Sequence, residues 1–249
     1  MATAQQPGTG DPAPSSGAVP HDSASDEAEQ TVPAAVVAAI KPHLRGWIHA
    51  GMTPFVVAAG IVLVALSPTP AARVSTGVFA LATTLLFTMS AVYHRGTWSA
   101  RVAAVLRRFD HANIFLVIAG TYTPLAVLLL PTSTATTLLL VVWGGALAGI
   151  LARVFWLGAP RWLYVPIYLA LGWVAVWFLP AFGRAGSPAI MWLVIAGGLG
   201  YTAGAVVYAL KRPNPSPRWF GFHEIFHVGT LIGYVCHYIA VAMASFALR

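Results

Sequence analysis

The sequence predicts an all-α membrane protein with seven transmembrane helices. The chain has 249 residues, of which 58% are hydrophobic and only 8% are charged. Runs of about 20 apolar residues recur along it, which is the length a helix needs to cross the hydrocarbon core of a bilayer. This composition argues against a soluble globular enzyme and for a polytopic protein of the cell membrane.

The first forty residues differ from the rest of the chain. They are rich in Pro, Ala, Ser and Gly, and they carry five of the seven acidic residues, namely Asp11, Asp22, Asp26, Glu27 and Glu29. Because no basic stretch leads into an apolar run here, we expect a disordered acidic tail rather than a signal peptide. The membrane domain is predicted to cover residues 41–249.

Seven spans follow when Pro, Gly and charged residues are taken as boundaries of the apolar runs. In order, they are expected near 47–66, 74–94, 110–130, 136–154, 162–180, 189–210 and 224–247. The longest connections are two basic stretches, 95–109 and 211–223. In the sixth span, Gly200 and Gly204 have the spacing that permits close packing of a neighbouring helix.

The basic residues predict the orientation. Eleven Lys and Arg residues flank the ends that share a side with the amino terminus, and three (Arg73, Arg184 and Arg249) lie at the other ends. Since cytosolic loops carry the excess of positive charge, the amino terminus is expected in the cytosol and the carboxyl terminus outside. This is the reverse of a G-protein-coupled receptor.

Four polar residues are expected in one layer near the cytosolic face. His94 ends the second span, Asp110 opens the third, and His223 and His227 open the seventh. Ionisable groups in membrane helices are costly and usually face the interior of the bundle or a cavity. Such a layer is therefore a hypothesis for a functional site.

The spacing of these residues favours a metal ion. His223 and His227 are one helical turn apart, so both imidazoles reach the same side of their helix. Three histidine nitrogens and one water make the open tetrahedral arrangement of a catalytic zinc. Asp110 would hold that water or act as its base, and Ser90, one turn before His94, would orient the imidazole or the water.

The string HEIFH, from His223 to His227, also matches the H-E-x-x-H pattern of zinc proteases. The longer metzincin pattern fails, because its required Gly and His fall on Thr230 and Gly233. His237 lies nearly three turns beyond His227, too far to bind the same ion. An intramembrane metalloprotease with Glu224 as the base remains an alternative.

Three motifs together resemble the hemolysin III branch of the progestin and adipoQ receptor superfamily, which includes the adiponectin receptors. They are SAVYH ending at His94, RRFDHANIFLVIAGTYTP around Asp110, and HEIFH, and the resemblance covers residues 41–249. It implies a zinc ion held by His94, His223 and His227, with Asp110 on the metal-bound water and Ser90 nearby. It also implies that Glu224 is not a ligand, which leaves this side chain free to face the cytosolic loop.

One departure from the family pattern lies at the first span. Relatives often carry a Glu and an Asn ahead of a His; here the His is His49, and Pro42 and Arg45 occupy the other two positions. His49 is expected on the cytosolic side, supporting the zinc site from outside the ligand set.

The resemblance implies a zinc-dependent lipid hydrolase that cleaves acyl amides, or a membrane-homeostasis factor built on the same fold. A non-catalytic receptor or sensor with a structural zinc is one alternative, and a membrane-lysing (hemolysin-like) protein is another. A sustained polar face, as a pore needs, is not visible in any span beyond the histidine layer. The expected partners are membrane lipids, with no particular lipid indicated and no nucleic acid.

Overall fold

The computed structural model describes residues 42–156 and 160–247. Its helices are α1 (Trp47–Leu66), α2 (Pro70–Arg95), α3 (Ala100–Leu129), α4 (Thr132–Phe155), α5 (Arg161–Gly172), α6 (Leu179–Ala185), α7 (Pro188–Leu210) and α8 (Phe222–Phe246), with a short 3-10 helix (Trp173–Phe178) between α5 and α6. The acidic tail predicted over 1–40, together with Lys41 and Arg249, lies outside the described residues.

Seven transmembrane helices are present in the described part of the chain, which confirms the predicted fold class. Each is long and apolar enough to cross a bilayer, with the stretch Arg161–Ala185, from α5 to α6, counting as the fifth. The first span has the predicted bounds, and the others differ from prediction mainly at their ends.

The third span departs most from prediction. α3 begins at Ala100 rather than near residue 110, because the Ser99 side chain caps the helix by accepting from the Val102 amide at 3.4 Å. The basic residues in its first turns predict a boundary, but charged side chains do not stop a helix that emerges from the apolar layer. Asp110 therefore lies inside α3 and does not open it.

The fifth span is interrupted where the chain passes from α5 to the 3-10 helix. The hydroxyl of Tyr122, on α3, donates to the Gly172 carbonyl at 2.6 Å and accepts from the Ala175 amide. Backbone groups released by a break in a membrane helix need such partners, since lipid offers none. Tyr122 thus stabilises the irregular segment from the neighbouring helix α3.

Glycines allow α7 and α8 to approach closely, as the spacing in the sixth span predicts. A Cβ atom on Gly229 would lie 2.8 Å from the Gly200 carbonyl oxygen and 2.9 Å from the Gly204 Cα. Because these are backbone atoms, a side chain at Gly229 would force the helices apart.

α8 is the central helix of the bundle. It contacts α1, α2 and α3 as well as α7, and its inner side is buried along most of its length. Helices that are far apart in the sequence therefore meet around the first turns of α8, where two of the candidate histidines lie.

Candidate metal centre

Three histidines meet between the end of α2 and the start of α8. One ligand nitrogen from each of His94, His223 and His227 lies within 4.8 Å of the others. The ring centroids are 4.7 Å apart for His94 and His223, 5.2 Å for His94 and His227, and 4.8 Å for His223 and His227. The three histidines of the expected layer are thus brought together.

Local structure positions each imidazole. His94 lies in the last turn of α2. The turn that precedes α1 passes close to it at Gly46, where an added Cβ would lie 2.7 Å from the His94 Cβ. Gly46 also has a φ of +80°, which glycine adopts at little cost. On α8, the Gly221 amide donates to the Glu224 carboxylate at 2.8 Å, which fixes the first helical turn.

The nitrogens of this cluster have the character of ligand atoms. Within residues 42–156 and 160–247, Nε2 of His223 and Nδ1 of His227 are buried and have no hydrogen-bond partner. Buried polar atoms normally find a partner, and a pair of orphaned imidazole nitrogens within reach of a third histidine is the donor set that zinc prefers. The residues present therefore fit a zinc ion.

Asp110 and Ser90 lie beside the histidines. Oδ2 of Asp110 is 3.7 Å from Nε2 of His94, and its side chain is largely buried. Ser90, one turn before His94 on α2, is buried and lines the same cavity as Asp110. A carboxylate and a hydroxyl at this edge can hold and orient a water molecule between them and the cluster.

His49 packs on the cluster from α1. Its ring stacks on that of His227, with the centroids 3.9 Å apart and the planes 17° from parallel, and it makes an edge contact with Phe87, with the centroids 4.7 Å apart. It is not one of the three residues whose ligand atoms converge. This geometry limits the rotation of the His227 ring without supplying a ligand.

Glu224 lies inside the protein, against the turn that precedes α1. Its side chain is fully buried, Oε1 accepts from Nε of Arg45 at 2.6 Å, and Oε2 accepts from the Gly221 amide. Sequence inspection missed the partner because Arg45 precedes α1, far away in the chain. Both carboxylate oxygens are engaged in these contacts, which argues against Glu224 as the general base of a protease.

A cavity of about 140 Å³ opens beside the histidines. At one end its wall contains Ser90, Asp110, His223 and His227, and from there it runs between α3, the interrupted fifth span and α7 along mostly apolar side chains. His237 also lines it, with Nε2 placed 3.2 Å from the Val194 carbonyl oxygen and apart from the histidine cluster. An apolar cavity with polar groups at one end is suited to an amphiphilic ligand.

Comparison with known proteins agrees with this architecture. The family model described as Haemolysin-III related matches residues 37–238. The chain is similar to the Hemolysin-3 homolog of Bacillus subtilis (strain 168), with 31% identity over 150 residues that cover 60% of this chain and 70% of the relative. It is also similar to Hemolysin-3 of Bacillus cereus, with 28% identity over 145 residues, or 58% of this chain and 65% of that relative. The chain therefore belongs to the haemolysin-III related family of multi-pass membrane proteins, within the progestin and adipoQ receptor superfamily.

Proposed function

We propose that this protein is a zinc-dependent hydrolase that cleaves acyl-amide bonds of membrane lipids. The observation that carries the proposal is the convergence of ligand nitrogens from His94, His223 and His227 within 4.8 Å, where His94 and His227 are buried and His223 is half-buried. A buried group of three imidazoles has no evident structural purpose without a cation, because packed apolar side chains would stabilise the bundle at lower cost.

The donor set favours zinc over harder cations. Imidazole nitrogens suit zinc, whereas magnesium and calcium prefer oxygen ligands. Three histidines leave a fourth position open, as in catalytic zinc sites. A zinc ion there would supply Lewis-acid chemistry, polarising a carbonyl group and making a water molecule more acidic.

Asp110 has the placement of a general base. Oδ2 of Asp110 lies 3.7 Å from Nε2 of His94, so a water molecule held at this edge can pass its proton to that oxygen. The Asp110 carboxyl would then deliver the proton to the nitrogen of the leaving amine. Ser90 orients the carboxyl, and the buried side chains of His94 and His227 limit the access of bulk water from their side.

The cavity supports a lipid as the substrate. It leads from the histidines into the membrane-spanning part of the bundle, along aromatic and aliphatic side chains of α3 and the fifth span. A hydrocarbon chain buried there would place its polar end at the histidines. An acyl amide joins such a chain to a carbonyl group that zinc can polarise, which makes it a suitable substrate class.

The experiment compares zinc content and turnover in purified protein. Wild type should hold about one zinc per chain and release fatty acid from ceramide or another acyl amide. The His227→Ala variant should lose the metal, whereas Asp110→Asn should keep the metal and lose turnover. His43→Ala is a matched control, since His43 is exposed and lies before α1.

Equal zinc content in wild type and His227→Ala would overturn the metal hypothesis. Zinc that disappears with His227 but supports no turnover on a panel of acyl amides would contradict the hydrolase and favour a sensor with a structural zinc.

A further inference from the structure

A buried arginine lies outside the candidate metal centre. Arg153, near the end of α4, is 4% exposed, and its Nε and Nη1 atoms have no hydrogen-bond partner among the residues that the structure describes. Its guanidinium carbon lies 4.3 Å from the ring centroid of Tyr164. The ring attracts the cation but accepts none of its N–H groups in their plane.

No carboxylate compensates for this charge in the described part of the chain. The acidic residues there are Asp110 and Glu224, which lie against His94 and Arg45, and neither forms a salt bridge with Arg153. A buried cation without an anionic partner is strongly disfavoured inside a membrane protein. The site around Arg153 is therefore short of an anion.

A role in membrane topology alone does not explain this placement. An arginine that only marks the cytosolic side extends along the surface toward water. Arg153 instead lies on the inner side of α4, in line with Ala146 and Gly149, which are also buried. Gly149 packs on Phe115 of α3, since a Cβ at this position would meet the Phe115 ring. The side chain is thus directed into the bundle.

The surroundings of Arg153 adjoin the cavity. Tyr164, over which the guanidinium lies, lines the cavity, and its hydroxyl is 3.5 Å from that of Tyr208, which lines it too. A second cation, Arg161, lies 4.4 Å from the Tyr208 ring centroid. Neither arginine lines the cavity itself, but each lies against a tyrosine that forms part of its wall. Guanidinium and hydroxyl groups both donate hydrogen bonds to oxyanions.

We propose that Arg153 and Tyr164 form a binding site for an oxyanion, a phosphate or a carboxylate, carried on an amphiphile whose chain lies in the cavity. The planar guanidinium offers Nε and a terminal nitrogen as a fork that matches two oxygens of such a group. The anion would neutralise the buried charge and satisfy the unpaired N–H groups. This site does not depend on zinc or on hydrolysis.

The test measures binding of defined probes to the full chain in nanodiscs of uncharged lipid. Oleyl phosphate and oleate carry the oxyanion and the chain, oleyl alcohol carries the chain alone, and inorganic phosphate carries the oxyanion alone. In wild type, the two charged amphiphiles should bind at least about tenfold more tightly than the alcohol, as expected for a charge-assisted fork. Inorganic phosphate should bind through the same arginine, but more weakly than oleyl phosphate. If the two affinities were equal, free phosphate would be identified as the source of the oxyanion.

Variants locate the site. Arg153→Met should remove the preference for the charged probes, Arg153→Lys should keep part of it, and Arg101→Met, a matched control at an exposed arginine of α3, should keep all of it. The His227→Ala variant should also keep the preference, which separates this site from the metal centre.

Two results would overturn the proposal. One is a wild-type protein that binds oleyl alcohol as tightly as oleate, a result that needs no folded variant. The other is a preference for anions that survives undiminished in Arg153→Met or Arg153→Lys; its loss in His227→Ala would then place the anion at the histidines.

Discussion

Arg45 and Glu224 form an ion pair, 2.6 Å between Nε and Oε1, that joins the turn before α1 to the first turn of α8. The backbone supports the same junction, since the His43 amide donates to the Arg218 carbonyl at 2.8 Å. Glu224 follows His223 directly in the chain, so the pair fixes the helical turn from which both α8 histidines project. The positive charge of Arg45 is matched by the buried carboxylate of Glu224.

Removing the arginine should destabilise the protein. Arg45→Met leaves the fully buried Glu224 carboxylate without its cation, and breaking a buried pair from one side typically costs about 3–5 kcal/mol. Thermal unfolding in detergent measures the effect as a lower Tm. The double variant Arg45→Met/Glu224→Gln should recover most of the loss, because no buried charge then remains unpaired. A single variant as stable as wild type would show that the pair contributes nothing.

The sequence predicts the histidines of the candidate site, but it does not predict the contacts that hold their helices in place. Each span reverses direction, so the end of α2 and the start of α8 must lie at the same membrane face, and this alone brings His94 to the level of His223. The partner of Glu224 was not predictable, because Arg45 lies 179 residues away on a segment whose path depends on tertiary packing. The break in the fifth span was hidden for a similar reason, since the Tyr122 hydroxyl that stabilises it comes from α3.

The close crossing of α7 and α8 should not tolerate a methyl group. In Gly229→Ala the new Cβ would lie 2.8 Å from the Gly200 carbonyl oxygen, and a fixed backbone cannot move away. Overpacking of this kind typically costs about 1–3 kcal/mol, so the Tm should fall. Gly144→Ala is the matched control: this α4 glycine is exposed, and its Cβ would meet nothing within 4 Å. Equal Tm values for the two variants would contradict the observed packing.

His49 should support the metal centre as a packing partner and not as a ligand. In the wild-type protein the ring centroids of His49 and His227 are 3.9 Å apart. His49→Phe keeps an aromatic ring against His227, so zinc content should stay near that of wild type. His49→Ala frees the His227 ring and should weaken zinc affinity by about tenfold or more, as is typical when a group that orients a ligand is lost. Competition with a chromogenic chelator measures both affinities. Loss of zinc from His49→Phe to the extent seen in His227→Ala would identify His49 as a ligand instead.

Single cysteines should report the orientation. The end of α2 and the start of α3 carry Arg95, Arg101, Arg107 and Arg108, whereas the turn between α3 and α4 carries no charge. The positive-inside rule therefore predicts that the α2–α3 connection lies in the cytosol. In a Cys236→Ala background, an exposed cysteine at Ser133→Cys should react with a membrane-impermeant maleimide added to intact cells, and one at Thr97→Cys should not. Both should react after permeabilisation, which shows that each thiol is accessible. The opposite pattern would place the histidine cluster at the outer face, because Thr97 closely follows His94 at the same end of α2.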